Sequence, residues 1–549
     1  MFAAVWRNQL RTSAYLFSGL LGGLVLCACG AALTETAGVG VSLAQDESTT
    51  PTVLGASQTA AEDLPVLRLG GLDTSSLDPA YFQTETEEEI ASLVFKPLVG
   101  LDRLAHPIAG AALDWETTDN TEWTFYLDPE GSFHNGEPVT AESFIAGITF
   151  LADPQNASPN AYLGIEAGIE GFEAVALAES DTISGLAALD PLTLAITLTE
   201  PNSLLPSLLA HVAFAPRSQA AIEDSEMAAV YPIGNGPFAT LDPWDGSSPL
   251  SLTPIDGIGH VVRVEFFDSV ESMFAERSLD ISHVPVTQLD ALRRGPSKDH
   301  VIDRALGAYN YLAFPLGQPP FDNPEVRRAM SLAIDRERLV EQVFADGKQP
   351  AVGFAPAGSP GSTPGDCEAC VYDPDRARQL IKSAGGFGAD AIELGFNTGH
   401  GHEAWVQAVG AQWAEVFGIE VRFKPESSAA YFEAIEAGTH TGPYRVGWSV
   451  DFAHAMSFLE PLFVGESNTT LGYHNPEIDE IADRILQLEN PYSDDGAAMV
   501  ALISDHLNQD MPIIPVFSHV SARLLSEDVS EVQLNLDGSV RLEDAILSR

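Results

Sequence analysis

Positive charge is scarce in this chain. Over 549 residues, 27 Lys and Arg stand against 78 Asp and Glu, a net charge of −51. A field of that sign repels nucleic acid and anionic membrane surfaces, which excludes a protein that tracks a phosphate backbone. The acidity reads as a solvated surface for solubility, suited to a salty environment; attraction of cationic ligands is the other reading. Cysteine is also rare. Of the four, Cys27 and Cys29 lie close to the N-terminus. Missing too are a Gly-x-Ser-x-Gly elbow, a His-Glu-x-x-His pair, the kinase set and a Gly-x-x-x-x-Gly-Lys loop. No reaction class is indicated, and no cofactor. With so many carboxylates, a pair at any spacing says nothing about glycoside hydrolysis, which needs a defined separation in space.

What is present begins with a targeting segment. Arg7 and Arg11 precede an apolar run at 14–26, of signal-peptide length and too short for a comfortable membrane span. It ends in Leu26-Cys27-Ala28-Cys29-Gly30, which resembles a bacterial lipobox with Cys29 as the lipidated residue. That puts the body outside the cytoplasmic membrane, held by acyl chains in the bilayer. A plain secretory signal or an uncleaved anchor is the alternative. Residues 30–64 are rich in Ala, Thr, Ser, Gly and acids and read as a flexible tether.

The length suits two or three domains, and 45 % hydrophobic residues suffice for a sizeable core. Strands are expected at 66–70, 123–127 and 192–198, the last from its period-two alternation. Helices are expected at 87–93 and 140–151. Thr140-Ala141-Glu142-Ser143 opens the second with an imperfect capping box, its fourth residue being only Ser. Gly234-Asn235-Gly236-Pro237-Phe238-Ala239 contains Gly-x-Gly-x-x-Ala, but extended chain follows it, so it is a poor dinucleotide fingerprint. Asn323-Pro324 and Asp373-Pro374 are helix starts, and a helix re-capped by Asp335 should stop at Gly347. A strand at 392–396, a helix at 402–417 and a strand at 419–423 make a βαβ unit, hence an α/β fold class.

The candidate site lies in residues 444–463. Val446-Gly447-Trp448 reads as the end of a buried strand, with Gly admitting a close approach. Trp448, Phe452 and Phe458 surround one carboxylate, Asp451. An acid so close behind an apolar strand needs a partner if buried, either a protein Arg or a cation brought by a ligand. The competing reading makes Asp451 the cap of a helix at 453–459 and Trp448 and Phe452 ordinary core. Cys367-Glu368-Ala369-Cys370 reads as a local disulfide of an oxidising compartment. A redox motif or part of a zinc site are its alternatives. His400 and His402, the nearest further ligands, read as exposed loop residues.

In order along about residues 65–520, several segments resemble those of family 5 extracellular solute-binding proteins of ABC importers, the family of oligopeptide, dipeptide and nickel receptors. They are Leu77-Asp78-Pro79, Val94-Phe95-Lys96-Pro97-Leu98-Val99, Trp115-Glu116, the strand from Trp123, and Phe133-His134-Asn135-Gly136-Glu137-Pro138. Gly234-Asn235-Gly236-Pro237-Phe238, Pro320-Phe321-Asp322-Asn323-Pro324 with Val326-Arg327-Arg328, Trp448 to Asp451, and Tyr473-His474-Asn475-Pro476 complete the set. Lys96 stands where the family usually has Glu. The resemblance implies a periplasmic-binding-protein-like fold of two lobes joined by a hinge, with an extra domain inserted in the N-terminal lobe. Residues 1–29 would be a lipoprotein signal peptide, 30–64 the tether, 65–105 and 216–320 lobe one, 106–215 the insert, 321–515 lobe two, and 516–549 a return to lobe one. It implies a peptide ligand held between closing lobes, its ammonium on Asp451, its backbone in strand-like hydrogen bonds, and Trp448 and Phe452 as a wall. It also implies a lipid-anchored monomer, no metal or cofactor, and delivery to permease subunits. Arg327 and Arg328 match structural positions. Two other roles stay open: a nickel or metallophore receptor using His454, and an accessory protein of envelope glycolipid assembly with broad apolar walls.

Overall fold

A computed structural model describes residues 64–549 except 256, 364, 466–470 and 543–544; the leader with Cys29 and the tether lie outside the described residues. An 11-stranded mixed sheet runs through the body. At one end, Ala391–Asn397 pairs in parallel with Glu420–Glu426, and helix His402–Phe417 crosses between them. That is the expected βαβ unit. At the other end, Val66–Leu72 lies between Val261–Phe267 and Ile281–His283, parallel to both. The middle is two long antiparallel strands, Val301–Ala313 and Ile513–Leu525. Each passes through both halves, and their ladder slips between them. Ala305 pairs with Val520 and Tyr309 with Ser518, so Leu306, Gly307 and Ala308 face a single residue, His519. Such a bulge bends the ladder locally.

One half closes over Leu67, Leu69, Ile90 and Val262, joined by Val529 and Val540 from the C-terminal segment. The other closes over Leu394, Trp405, Trp413 and Ile514. The 3.6-residue period of helix His402–Phe417 turns both tryptophans inward, where Trp413 Nε1 donates to Met330 O at 2.9 Å. Ala112–Thr117, Glu122–Leu127, Thr193–Thr197 and Leu186–Asp190 form a separate four-stranded antiparallel sheet. Asn120 and Ser203, at its edge, donate to the carbonyls of Leu486, Leu488 and Ile485 in the second half. Arg327 and Arg328 tie helix Pro324–Leu332 to the carbonyls of Met511 and Asn508, a packing role.

Several local expectations change. Helix Ala141–Ala152 has a complete capping box, because the Ser143 hydroxyl accepts from Thr140 N at 3.1 Å while Ser143 N donates to Thr140 Oγ1. The first long helix is Glu85–Val94, started by a Thr84–Glu87 capping box that the sequence reading passed over. Helix Arg336–Phe344 ends at Ala345, whose φ of 48° is left-handed, and not at Gly347. Gly347 is needed for packing instead: a Cβ there would lie 2.2 Å from Val286 O. Gly234 has the same kind of role, since a Cβ would lie 2.0 Å from Val94 O, and the chain beyond it is the strand Phe238–Thr240. Cys367 and Cys370 are joined in a disulfide, which leaves no thiolate for zinc.

Candidate binding cleft

A cleft of about 1760 Å³ opens between the two halves. The strand Tyr444–Ser449, paired with Val301–Ala313, brings Arg445 and Trp448 to it. Past Ser449 the chain leaves the sheet, and Asp451 and Phe452 follow on a loop. One residue holds that loop. Ser457 Oγ accepts from Asp451 N at 2.7 Å and from Phe452 N at 3.2 Å, and Ser457 O accepts from Trp448 Nε1 at 3.2 Å.

The helix itself starts at Met456 behind Ala455, with no side-chain cap. Asp451 is therefore not its N-cap. His454 Nδ1 already receives the Met456 N–H at 3.1 Å, and Ser457 receives those of the loop. The Asp451 carboxylate instead accepts from the hydroxyl of Tyr162, at 2.8 Å, on the helix Tyr162–Glu166. Trp448, half-buried, and Phe452, buried, both line the cleft beside Asp451. Phe458 does not; it stacks on Tyr309 at 4.2 Å in the core. His454 is fully buried against Tyr492 and is absent from the lining. Among the described residues, no group of three or more His, Cys, Asp or Glu is arranged to hold a metal.

Glu88 and Asp537 stand on the same side as Asp451. Burial first, then Asp537, Glu85, Glu87 and Asp451, push Glu88 up to about 8. Like charges disfavour ionisation, so a cation arriving here is attracted by the whole group.

The opposite pole is basic. Arg445 is only 3 % exposed. Its Nε and Nη2 donate to Asn310 Oδ1 at 3.0 and 2.8 Å, and its Nη1 to Asn397 Oδ1 at 3.2 Å. These partners are neutral amides, and burial draws the guanidinium down to about 10. A buried charge without a counter-charge is costly, so an anion placed there by a ligand gains much. Lys348 and His519 line the cleft next to it, Nζ to Nδ1 being 3.0 Å. His400 lines it too, and His402 is 7 % exposed, its ring edge-on to Trp405. The expectation of exposed loop histidines fails because His402 is already the first residue of an inward-facing helix.

Sequence reasoning missed Arg445, Tyr162, Lys348, His519 and Ser457. Only Arg445 had a local signal, as a charge inside an apolar strand.

The family model of bacterial extracellular solute-binding proteins, family 5, matches residues 106–470. The chain belongs to this family. This family 5 protein is 28 % identical over 499 residues to the periplasmic oligopeptide-binding protein OppA of Escherichia coli K12, covering 86 % of this chain and 90 % of that one. It is 27 % identical over 477 residues to the periplasmic murein peptide-binding protein MppA of the same organism, covering 82 % and 87 %. Among solved structures, the MppA murein tripeptide binding protein in its unliganded open form superimposes with a TM-score of 0.79 at 23 % identity, over 88 % of this chain and 98 % of that one. Haemophilus influenzae OppA in complex with RPPGFSPFR gives 0.64 at 22 % identity, over 89 % and 99 %. The fold is thus the expected periplasmic-binding-protein-like α/β fold. No helix of the described residues is long and apolar enough to cross a membrane.

Proposed function

We propose that this chain is the receptor of an ABC importer, capturing short peptides with free termini between its lobes and passing them to permease subunits. One observation carries the reading: a single cleft holds Asp451 at one pole and, at the other, an Arg445 whose partners are all neutral. A peptide with free ends has the matching charges. Its ammonium would meet Asp451 in a charge-assisted hydrogen bond, and its carboxylate would meet Arg445. At about 1760 Å³, the cleft exceeds the usual ~300–1,000 Å³ of small-molecule sites, leaving room for hydrated side chains. Trp448 and Phe452 serve as its apolar wall. Relatives named for oligopeptides and murein peptides support the same class. Charged poles suit neither a glycolipid's chains nor the broad apolar walls that an envelope-assembly role would need. A metallophore receptor built on His454 is disfavoured by that residue's place outside the lining. In this reading residues 106–215 are the inserted domain, the lobes meet at the bulge opposite His519, and Cys29 carries a lipid anchor that holds a monomer at the outer face of the cytoplasmic membrane.

Native mass spectrometry of protein purified from its host, wild type beside Asp451→Ala, tests this. The expected result is a set of short peptides on the wild type that is lost from the variant. Peptides on both would remove Asp451 from the site; a lipid, a metal complex or nothing on the wild type would overturn the peptide reading.

A further inference from the structure

His519, the lone residue in the register slip of the two long strands, joins Lys348 to Asn310 in a chain of hydrogen bonds that ends on Arg445. The chemistry of each group fixes where its protons sit. A guanidinium only donates. The Asn310 atom that meets both Arg445 Nε and Nη2 is therefore its carbonyl oxygen. The Asn310 amide nitrogen then faces His519 Nε2 at 2.8 Å and donates to it. A neutral imidazole that accepts at Nε2 carries its proton on Nδ1. That N–H points at Lys348 Nζ, 3.0 Å away. An ammonium has no lone pair to accept it, whereas an amine has one. The chain is satisfied throughout only with Lys348 neutral.

The surroundings push the same way. Burial draws Lys348 down to about 8, against the pull of Glu85. Glu85 itself is engaged by Arg523 Nη2 at 2.6 Å and by Ser521 Oγ at 3.0 Å. Burial, then Lys348, Arg445 and His402, hold His519 well below its ordinary value, so the imidazole is not the proton carrier.

We propose that, above its own titration, the ligand-free cleft holds Lys348 as a neutral amine bonded to His519, and that an anionic ligand group entering this pole is then received with uptake of one proton by Lys348. The proton comes from solvent and adds to the Nζ lone pair. The amine–imidazole hydrogen bond is exchanged for an ammonium–anion pair, and the His519 Nδ1–H is freed to donate to the anion or to water. Lys348 thereby sets a preference for ligands that end in a carboxylate over those ending in an amide. By linkage, affinity for the acid falls as pH rises above the lysine's own titration, by at most ~10-fold per pH unit beyond the fall that acid and amide share through their common ammonium. That the anion is a peptide's carboxylate rests on the function proposed above; the protonation state of Lys348 does not.

The chain has five lysines, Lys96, Lys298, Lys348, Lys382 and Lys424, so carbon-13 lysine NMR of the ligand-free protein can follow each. The expected result is one signal, absent from Lys348→Arg, that titrates at about 8. A Lys348 signal titrating at the ordinary lysine value would overturn the proposal. Calorimetry with tri-alanine and its C-terminal amide, at about pH 8.5 in two buffers of different ionisation heat, then reads the coupling. Uptake is expected to be larger for the acid than for the amide, and larger than for Lys348→Arg with the acid, by most of one proton; the peptide's own ammonium adds the same uptake to all three. Equal uptake by wild type and variant overturns the coupling. If tri-alanine does not bind at all, the peptide reading fails, and the lysine titration still decides the state of Lys348.

Discussion

At the basic pole, Arg445 sits on a strand inside the sheet, and two amide oxygens on neighbouring strands hold its guanidinium. At the acidic pole, Asp451 sits on a loop, and its phenolic partner comes from the distant helix Tyr162–Glu166. The first arrangement is fixed by the ladder. The second depends on three distant parts of the chain coming together: Tyr162, the Asp451 loop, and Asp537 near the C-terminus. Groups on strands are placed more accurately than groups on loops. Under the proposed function, the comparison teaches that one end of the ligand would meet a preformed receptor, while the other end would meet a site that the relative placement of the parts can adjust.

If that contrast is right, the largest loss of binding comes from the preformed pole. Arg445→Met should weaken tri-alanine binding by about 2–5 kcal/mol, roughly 30-fold to several thousand-fold. Calorimetry that finds less than tenfold would mean the guanidinium does not meet the ligand. Next is Ser457→Ala, which touches no ligand but removes the acceptor of two backbone N–H groups. A loss of about 1–3 kcal/mol is expected, shared between a lower melting temperature and weaker binding. If only the melting temperature moved, the loop would not be set by Ser457. Tyr162→Phe should be milder, about threefold to tenfold weaker for a peptide with a free amino terminus and unchanged for its N-acetylated form; equal losses for both would detach Tyr162 from the acidic pole.

A separate effect falls on stability, not on binding, and concerns pH. Glu88 is pushed up to about 8 from an ordinary 4.5, so the folded state holds its proton more tightly than the unfolded chain. Its stabilising contribution is full below about 4.5 and disappears as pH rises through about 8. Glu88→Gln should therefore lose less melting temperature between those limits than the wild type does. Glu89, pushed to about 7, keeps part of the slope. Parallel melting curves would show Glu88 to be in ordinary solvent.

Much of this architecture was legible because its signals are local. Asn323-Pro324 and Asp373-Pro374 start helices since cap and ring act within one turn. The βαβ unit shows in periodicity alone. Trp448, Asp451 and Phe452 could be singled out together because they are nearly contiguous, and all three line the cleft. The partner of Asp451 is 289 residues away and that of His519 is 171 away, and no local pattern encodes such meetings. The cap reading of Asp451 failed for a related reason. An Asp before a helix can cap it, but here the side chains of His454 and Ser457 had already met the local N–H groups.

Among the described residues, the strand Ile513–Leu525 joins the two ends of the main sheet, pairing with Val301–Ala313 on one side and Ile281–His283 on the other. It lies far along the chain from both partners. Until it docks, neither end of the sheet can join the other, and the pairings it makes have a high sequence separation, which slows folding. The two ends of the sheet can thus form early and separately, and the body locks as a whole only when this one strand docks between them.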